Sequence, residues 1–381
     1  GRLALRSGAP VLPVAVSGTE NVRRGFRIRP RKVDIRVGRP MSFPQSEQPS
    51  PALAASVTSR IWPNIELQWE DIGGLPPMRR AAVIGAGSWG TAVAVLLARG
   101  GLEVQLGTRT PDQAEAIATA RENERYLPGV RLPEAIEVRP SSQIELAGID
   151  LVCLAVPSAS YPQAVGALSD RIGRRAAILL LAKGLIAPKG QLPSEYVTER
   201  IKTRGISCLG GPAHAREAVS GSAALVLGTS DEDLKAQLGN VFDKAGLVCE
   251  RSGDVIGVEM AGAAKNAAVL AAAAAEPHGL NAAGIAAAGV WRECVQYAVM
   301  QGAELDTFNG LAGVGDLLAT VMAEGSRNRR AGELLGRDTP PDQVRREIGQ
   351  ASEALDSVPQ IAATVAAPAC PADPLPGLAV P

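Results

Sequence analysis

Lys265 and Asn266 stand side by side in Glu259-Met-Ala-Gly-Ala-Ala-Lys-Asn-Ala-Ala-Val-Leu270, a stretch otherwise made almost wholly of Ala, Val and Leu. Lysine is almost never fully buried without a partner. A desolvated ammonium has a lowered pKa, which suits it to general acid/base work near neutrality. The blander reading is a lysine whose stem packs while its head reaches water, and the helix pattern alone leaves both open. Further on, Asp316 and Thr320 are spaced four apart, so they share one helix face. Gly325-Ser-Arg327-Asn328-Arg329-Arg330 offers the planar, forked donors that suit a phosphate. Taken alone, that cluster reads equally as a solvated charged turn.

A second constellation lies near the start of the main body. Ala81-Ala-Val-Ile84 runs into Gly85-x-Gly87-x-x-Gly90, and an Ala-rich helical pattern follows from Thr91 to Arg99. Strand, glycines, helix is the order in which this motif means dinucleotide binding. Gly85 makes the tight turn, Gly87 admits the pyrophosphate, and Gly90 lets helix pack on strand. The free N–H groups of the helix start then face the phosphates.

These residues need elements to hold them. Short, mostly apolar runs predict strands over Glu103–Gly107, Leu151–Val156, Ala177–Ala182, Ser207–Leu209, Ala223–Leu227 and Leu247–Glu250. With helices between them, they predict a doubly wound, mostly parallel α/β sheet of Rossmann type. From about Val255 the strand signal stops and Ala-rich helices run to about Ala366, giving an all-helical second part. Ahead of the sheet, residues 1 to 45 read as short strands around the basic stretch Arg23–Lys32. Gln45–Ser50 reads as a loop, Ala52–Glu70 as a helix and Gly73–Met78 as a linker. The expected organisation is residues 1–75 as a short α+β fragment with linker, 76–253 as the dinucleotide-binding domain, 254–367 as the helical domain, and 368–381 as a Pro-rich tail.

Composition sets limits. The 381 residues hold 39 Lys+Arg against 39 Asp+Glu, which argues against a general nucleic-acid partner. Aromatics are 3% against 46% apolar residues, so the core is expected to be aliphatic. The five cysteines form no C-x-x-C and there are two histidines, so no metal site is indicated. No apolar run reaches the roughly 18 residues of a membrane span, no signal peptide is evident, and a reducing cytoplasm is expected. The chain opens on Gly1, which reads as a fragment or fusion product.

The ordered motifs resemble those of bacterial-type NAD(P)-dependent glycerol-3-phosphate dehydrogenases over residues 79 to about 366. They are Gly85-Ala-Gly-Ser-Trp-Gly-Thr-Ala92, Tyr126-Leu-Pro-Gly129, Ala155-Val-Pro-Ser158, Ala182-Lys-Gly-Leu185, Gly211-Pro212-x-x-Ala215-x-Glu217, Lys265-Asn266, Gly310-Leu-Ala-Gly-x-Gly-Asp316 and Ser326-Arg-Asn-Arg-Arg330. The resemblance implies reversible reduction of dihydroxyacetone phosphate to sn-glycerol 3-phosphate, in the service of phospholipid synthesis. It implies Lys265 as general acid/base and Lys183 as a second lysine that orients the substrate. Asn266, Asp316 and Thr320 would hold the glycerol hydroxyls and the lysine, and Arg327 and Asn328 the substrate phosphate. Gly85, Gly87, Ser88, Trp89, Gly90, Arg109, Lys183, Ala215, Arg327 and Glu353 would meet the cofactor. The chain departs from the family at Ala354, where Gly is usual after the Glu, at Pro162, where Arg is usual, and over the loosely matching Ala274–Gln301 with its Trp291.

Cofactor choice follows from one position. An NAD site usually carries an acid about 20 residues past the first glycines, but here the chain reads Gly107-Thr-Arg109-Thr110. NADP or NAD is therefore expected, with NADPH preferred through Arg109. The partners expected are small molecules, with neither nucleic acid nor a membrane span, and a homodimer stays open.

Residues 1 to about 45 resemble the closing part of a 1-acylglycerol-3-phosphate acyltransferase domain, on Arg6-Ser-Gly-Ala-Pro-Val-Leu-Pro-Val-Ala-Val-Ser-Gly-Thr-Glu20 and Val37-Gly-Arg-Pro-Met-Ser-Phe43. Neither His214 nor His278 has Asp four residues on, so no acyltransferase activity is expected. A fusion of two lipid-synthesis steps is the expectation, and a read-through with a start near Met78 the alternative. Competing readings of the main body are a ketopantoate- or β-hydroxyacid-type reductase and an inactive cofactor-binding remnant. Adjacent Lys265 and Asn266 speak against the reductases, whose Lys and Asn stand three or more apart.

Overall fold

Strand residues in the main body alternate between two buried faces, as strands of a parallel sheet covered on both sides must. Ala82, Ile84, Val152, Leu154, Ile178 and Leu180 belong to one apolar core. Ala81, Val83, Leu151, Cys153, Ala177 and Leu179 belong to the other. The computed structural model describes residues 1–19, 23–24, 27–28, 32–72, 77–323, 325–349 and 353–365. Residues 73–76 of the expected linker and the Pro-rich tail lie outside the described residues, as does part of the basic stretch.

The chain divides into two units, Gly1–Pro77 and Met78–Pro381. In the first, α1 (Arg2–Ser7), β1 (Val14–Ser17), β2 (Arg23–Arg24), β3 (Arg27–Ile28), β4 (Asp34–Val37) and α2 (Pro51–Asp71) follow in order. β1 pairs antiparallel with β4, and Ala4, Leu5, Phe43 and Val57 form a small core. The strands expected here are joined by a helix, α1, ended by Gly8 at φ +62°.

The second unit opens with β5 (Arg80–Ile84), α3 (Ser88–Arg99), β6 (Glu103–Thr108), α4 (Pro111–Ala120), β7 (Glu122–Asn123), β8 (Leu127–Arg131) and β9 (Ile136–Pro140). Then come β10 (Leu151–Leu154), α5 (Tyr161–Leu168), β11 (Ala177–Leu180), α6 (Pro193–Arg200), β12 (Gly205–Gly210), α7 (Ala215–Ser220), β13 (Ala224–Gly228), α8 (Glu232–Lys244) and β14 (Val248–Ser252). The sheet order is β14-β13-β12-β11-β10-β5-β6-β9. Every pair is parallel except β12 with β13. The six strands expected after the first all form, with shifted ends. β9 was not expected, because Pro133 and Pro140 bracket its short alternation.

Helices complete the unit: α9 (Val255–Ala275), α10 (Leu280–Met300), α11 (Leu305–Asn309), α12 (Asp316–Met322), α13 (Arg327–Leu335), α14 (Pro341–Ile348) and α15 (Glu353–Val365). Asp254 caps α9 by accepting from Gly257 N at 2.8 Å, and its other oxygen accepts from Glu304 N and Thr307 Oγ1. The core that begins at Ala82 continues through α9 to Ile361, so strands and helices share one apolar interior.

The segment Val255–His278 is apolar enough on average to cross a membrane by length and composition alone, although no unbroken apolar run in it reaches that length. The spread of small residues lets Glu259 and Lys265 sit within an apolar average. Here 78% of its most apolar window is buried inside the fold.

Candidate functional site

The carboxyl ends of adjacent parallel strands gather the site. β5 ends in the glycine loop, β10 in Ala155–Ser158, β11 in Lys183, and β12 in Gly211. Arg109 follows β6, on the other side of β5. Neighbouring strands lie about 4.8 Å apart, so Lys183 stands on the order of 10 Å along the sheet edge from the glycines. The chain reverses its strand order between β5 and β10, and this is where doubly wound sheets bind ligands.

The three glycines differ as expected. Gly85 has φ +116°, and a Cβ there would meet the Ala155 carbonyl oxygen at 2.5 Å. At Gly90 a Cβ would lie 2.0 Å from the Gly85 oxygen and 2.8 Å from the Ala155 Cβ. At Gly87, the N-cap of α3, a Cβ would find nothing within 4 Å. One glycine turns the chain, one brings helix onto strand, and one leaves open space before a helix N-terminus.

The lysine cluster lies between α9, α12 and the loop after β11. Lys265 is 7% exposed and Asp316 2%. Lys183 Nζ donates to Asp316 Oδ2 at 2.6 Å and to the Gly211 carbonyl at 3.2 Å. Lys265 Nζ lies 3.4 Å from Asp316 Oδ1 and donates to Thr320 Oγ1 at 2.9 Å. Thr320 Oγ1 in turn donates a hydrogen bond to the Asp316 backbone carbonyl at 2.7 Å. One carboxylate thus faces two ammonium groups. A π-helical turn, Leu311–Gly315, runs directly into Asp316, and such turns recur at functional sites.

The charges set the protonation chemistry. Burial, helped by the neighbouring Lys183 charge, brings Lys265 down to about 8, although Asp316 pulls the other way. Burial works against the Asp316 carboxylate, but Lys183 and Lys265 hold it below its ordinary value. Lys265 is therefore the buried acid/base candidate, and its head reaches Thr320 and Asp316.

A second chain of bonds joins the pieces. Asn328 Nδ2 donates to Asn266 Oδ1 at 2.7 Å, and Asn266 Nδ2 donates to the Lys183 carbonyl at 2.9 Å. Ser326 caps α13 by accepting from Arg329 N. Arg329 pairs with Glu276 and Glu333, while Arg327 is exposed at the start of the helix. Of the block's arginines, Arg329 is thus committed to holding α13.

Two family model matches cover this region: the NAD-dependent glycerol-3-phosphate dehydrogenase N-terminus over residues 80–235 and its C-terminus over residues 254–370. The chain belongs to the NAD-dependent glycerol-3-phosphate dehydrogenase family. It is 41% identical over 266 residues to a glycerol-3-phosphate dehydrogenase [NAD(P)+] of Deinococcus radiodurans, covering 68% of this chain and 79% of the relative. It is 36% identical over 281 residues to one of Chlorobium limicola, covering 72% and 84%. Its fold is similar to a solved glycerol-3-phosphate dehydrogenase of Coxiella burnetii, with TM-score 0.67 and 29% identity, covering 76% of this chain and 89% of that one.

A glycerol-3-phosphate dehydrogenase of this family takes a nicotinamide dinucleotide, and the residues present fit one. The space over Gly87 is open, and the buried Trp89 Nε1 has no hydrogen-bond partner among the described residues. Ser88 and Trp89 open α3, Arg109 is exposed, and Ala215 begins α7. Glu353 is engaged by the protein itself: its carboxylate accepts from Lys183 N at 3.0 Å. Burial raises it above the ordinary carboxyl range, against the Lys183 and Ser158 N–H groups and the lysine charges. The sequence reading missed the Gly211 carbonyl as a lysine partner, because backbone acceptors leave no sequence signal. It named Ser158 only as part of a motif and gave Ser357 no role, although both lie against Gly184.

Proposed function

We propose that the chain reduces dihydroxyacetone phosphate to sn-glycerol 3-phosphate, reversibly, with Lys265 as the general acid/base. The observation that carries this reading is a nearly buried lysine, paired with Asp316 and Thr320, beside a second lysine at a strand end. The nicotinamide nucleotide, when bound, supplies the hydride to the carbonyl carbon. The Lys265 ammonium gives its proton to the carbonyl oxygen and takes it back in the oxidative direction. Lys183 polarises and orients that oxygen. Asp316 faces both ammonium groups and aims them, and Thr320 fixes the Lys265 head. Asn266 and Asn328 hold the Lys183 backbone and the start of α13, from which Arg327 and Asn328 receive the substrate phosphate.

Arg109 beside the glycine loop supports NADPH as the preferred cofactor, with NADH accepted. We read residues 76–253 as the cofactor-binding part and 254–367 as the substrate-binding part of a cytoplasmic enzyme, with a homodimer as its assembly. Residues 1–75 we read as an acyltransferase-like appendage without catalytic residues of its own.

The test is NADPH oxidation followed at 340 nm with dihydroxyacetone phosphate. Reduction requires Lys265 protonated, so the rate falls as pH rises through about 8. Oxidation of glycerol 3-phosphate requires it neutral, so that rate climbs over the same range. Lys265→Ala should lower the reductive rate about 10²–10⁴-fold with NADPH still bound. Survival of activity in the variant would move the proton to Lys183 or to water. Absence of activity in the wild type, with NADPH bound, would favour a remnant.

A further inference from the structure

The backbone under Lys183 is gripped from both sides. Lys183 N donates to Glu353 Oε2 at 3.0 Å and Leu185 N donates to Ser357 Oγ at 3.1 Å. The Lys183 carbonyl accepts from Asn266 Nδ2 at 2.9 Å. Glu353 and Ser357 are four apart on α15, so one face of that helix takes both N–H groups. Between them, Gly184 has no room: a Cβ would lie 2.4 Å from Ser357 Oγ and 2.7 Å from Ser158 Oγ. Ser158 and Ser357 are both fully buried and Leu185 nearly so.

We propose that Ser357 is a positioning residue for the reaction: by holding the Leu185 N–H it fixes the direction in which Lys183 leaves the loop toward Asp316. This rests on the reading of Lys183 and Lys265 as the reacting lysines. A buried N–H without a partner is costly, so a loop that loses Ser357 turns to find another acceptor. The lysine stem magnifies that turn. A rotation of roughly 10–20° at the loop moves the ammonium by about 1–2 Å, beyond the ~0.5 Å a working site tolerates. With Lys183 displaced from Asp316, Lys265 loses a neighbouring positive charge that keeps its proton labile.

The experiment compares Ser357→Val, which removes the hydroxyl, with Ser357→Thr, which keeps it, and adds Ser357→Ala should the Val variant not fold. Each is assayed for kcat, KM and the pH profile of dihydroxyacetone phosphate reduction. NADPH affinity is read by fluorescence titration, and crystal structures are solved for wild type and variant. Ser357→Val should lower kcat about 10–100-fold, leave NADPH affinity within about twofold, and move the alkaline limb of the reductive profile upward. Ser357→Thr should restore kcat to within about threefold of wild type. The Lys183 Nζ to Asp316 Oδ2 separation should open from 2.6 Å to beyond about 4 Å in the Val variant. A folded Val variant with wild-type kcat and an unmoved alkaline limb would overturn the proposal, as would a Thr variant as impaired as Val. Should the wild type not reduce dihydroxyacetone phosphate at all, the functional reading fails by itself. The lysine–aspartate separation then decides, and an unchanged 2.6 Å in the variant overturns the positioning role.

Discussion

The glycine loop and the lysine cluster are built on opposite plans. The loop is one contiguous run, Gly85 to Gly90, and works through backbone: an unusual φ, a close helix–strand contact and an open approach. The cluster works through side chains brought from far apart in the sequence. Lys183 and Asp316 are 133 residues apart, Asn266 and Lys183 are 83 apart, and Lys265 and Thr320 are 55 apart. A local backbone device needs only short-range order, whereas a charged cluster needs the whole core packed before its partners meet. The two plans should therefore fail differently when single residues are changed.

The largest effect falls on the cluster. Asp316→Asn removes the carboxylate that faces both lysines and leaves two ammonium groups sharing a nearly buried space. Breaking one partner of such a pair costs far more than the pair is worth. The reductive kcat should drop about 10²–10⁴-fold. Without the opposing carboxylate, the Lys265 pKa falls below about 8, so the alkaline limb moves to lower pH. That is the reverse of the shift expected from Ser357→Val. Rate measurements from pH 6 to 10 check it, and an unmoved limb would show that Asp316 does not govern the Lys265 proton.

The loop should separate stability from binding. Gly90→Ala drives a Cβ to 2.0 Å from the Gly85 carbonyl oxygen. Overpacking of this kind costs about 1–3 kcal/mol, which lowers Tm by roughly 3–10 °C. Gly87→Ala meets no protein atom within 4 Å, and at φ −75° its backbone suits alanine. It should leave Tm unchanged while weakening NADPH binding tenfold or more, because the added methyl occupies the approach to the helix start. Scanning calorimetry beside fluorescence titration separates the two. Equal Tm losses in both variants would erase the distinction between the packed and the ligand-facing glycine.

The same contrast governs what could be read beforehand. The glycine loop was legible in its geometry, with the turn at Gly85, the helix–strand contact at Gly90 and the open space at Gly87, because strand, turn and helix are local and their sterics are general. The sheet was legible as a set of apolar runs, but the antiparallel β13 and the edge strand β9 were not. Pairing direction and edge position depend on neighbours that the runs do not name. Within the cluster, Lys265 stood out because a charge in an alanine-rich helix is conspicuous, yet the residues alone left a snorkelling lysine open. Only the fold brings Thr320 to 2.9 Å and Asp316 to 3.4 Å from its head. Ser357 gave no signal of its own, since a serine in a helix is unremarkable until the N–H it accepts is known. Glu353 illustrates the remaining gap: the residue was singled out as a cofactor contact, and its carboxylate receives the Lys183 backbone N–H.

The smallest effect tests the outer end of the loop. Arg109 follows β6, is exposed, and its backbone N–H is held by Gln113 Oε1 at 3.2 Å. A guanidinium there would pair with a 2′-phosphate through solvent-screened contacts, so its expected contribution is modest and salt-sensitive. Arg109→Ala should raise KM for NADPH about 3- to 10-fold and leave KM for NADH within about twofold. The gap between wild type and variant should narrow as ionic strength rises from about 0.05 to 0.5 M, because the Debye length then shrinks severalfold. Arg109→Asp should go further, since a carboxylate repels the 2′-phosphate and accepts from a ribose hydroxyl, turning preference toward NADH. A wild-type protein that already favours NADH, or an Arg109→Ala variant that loses both cofactors equally, would assign Arg109 to holding the loop and leave nucleotide choice to another residue.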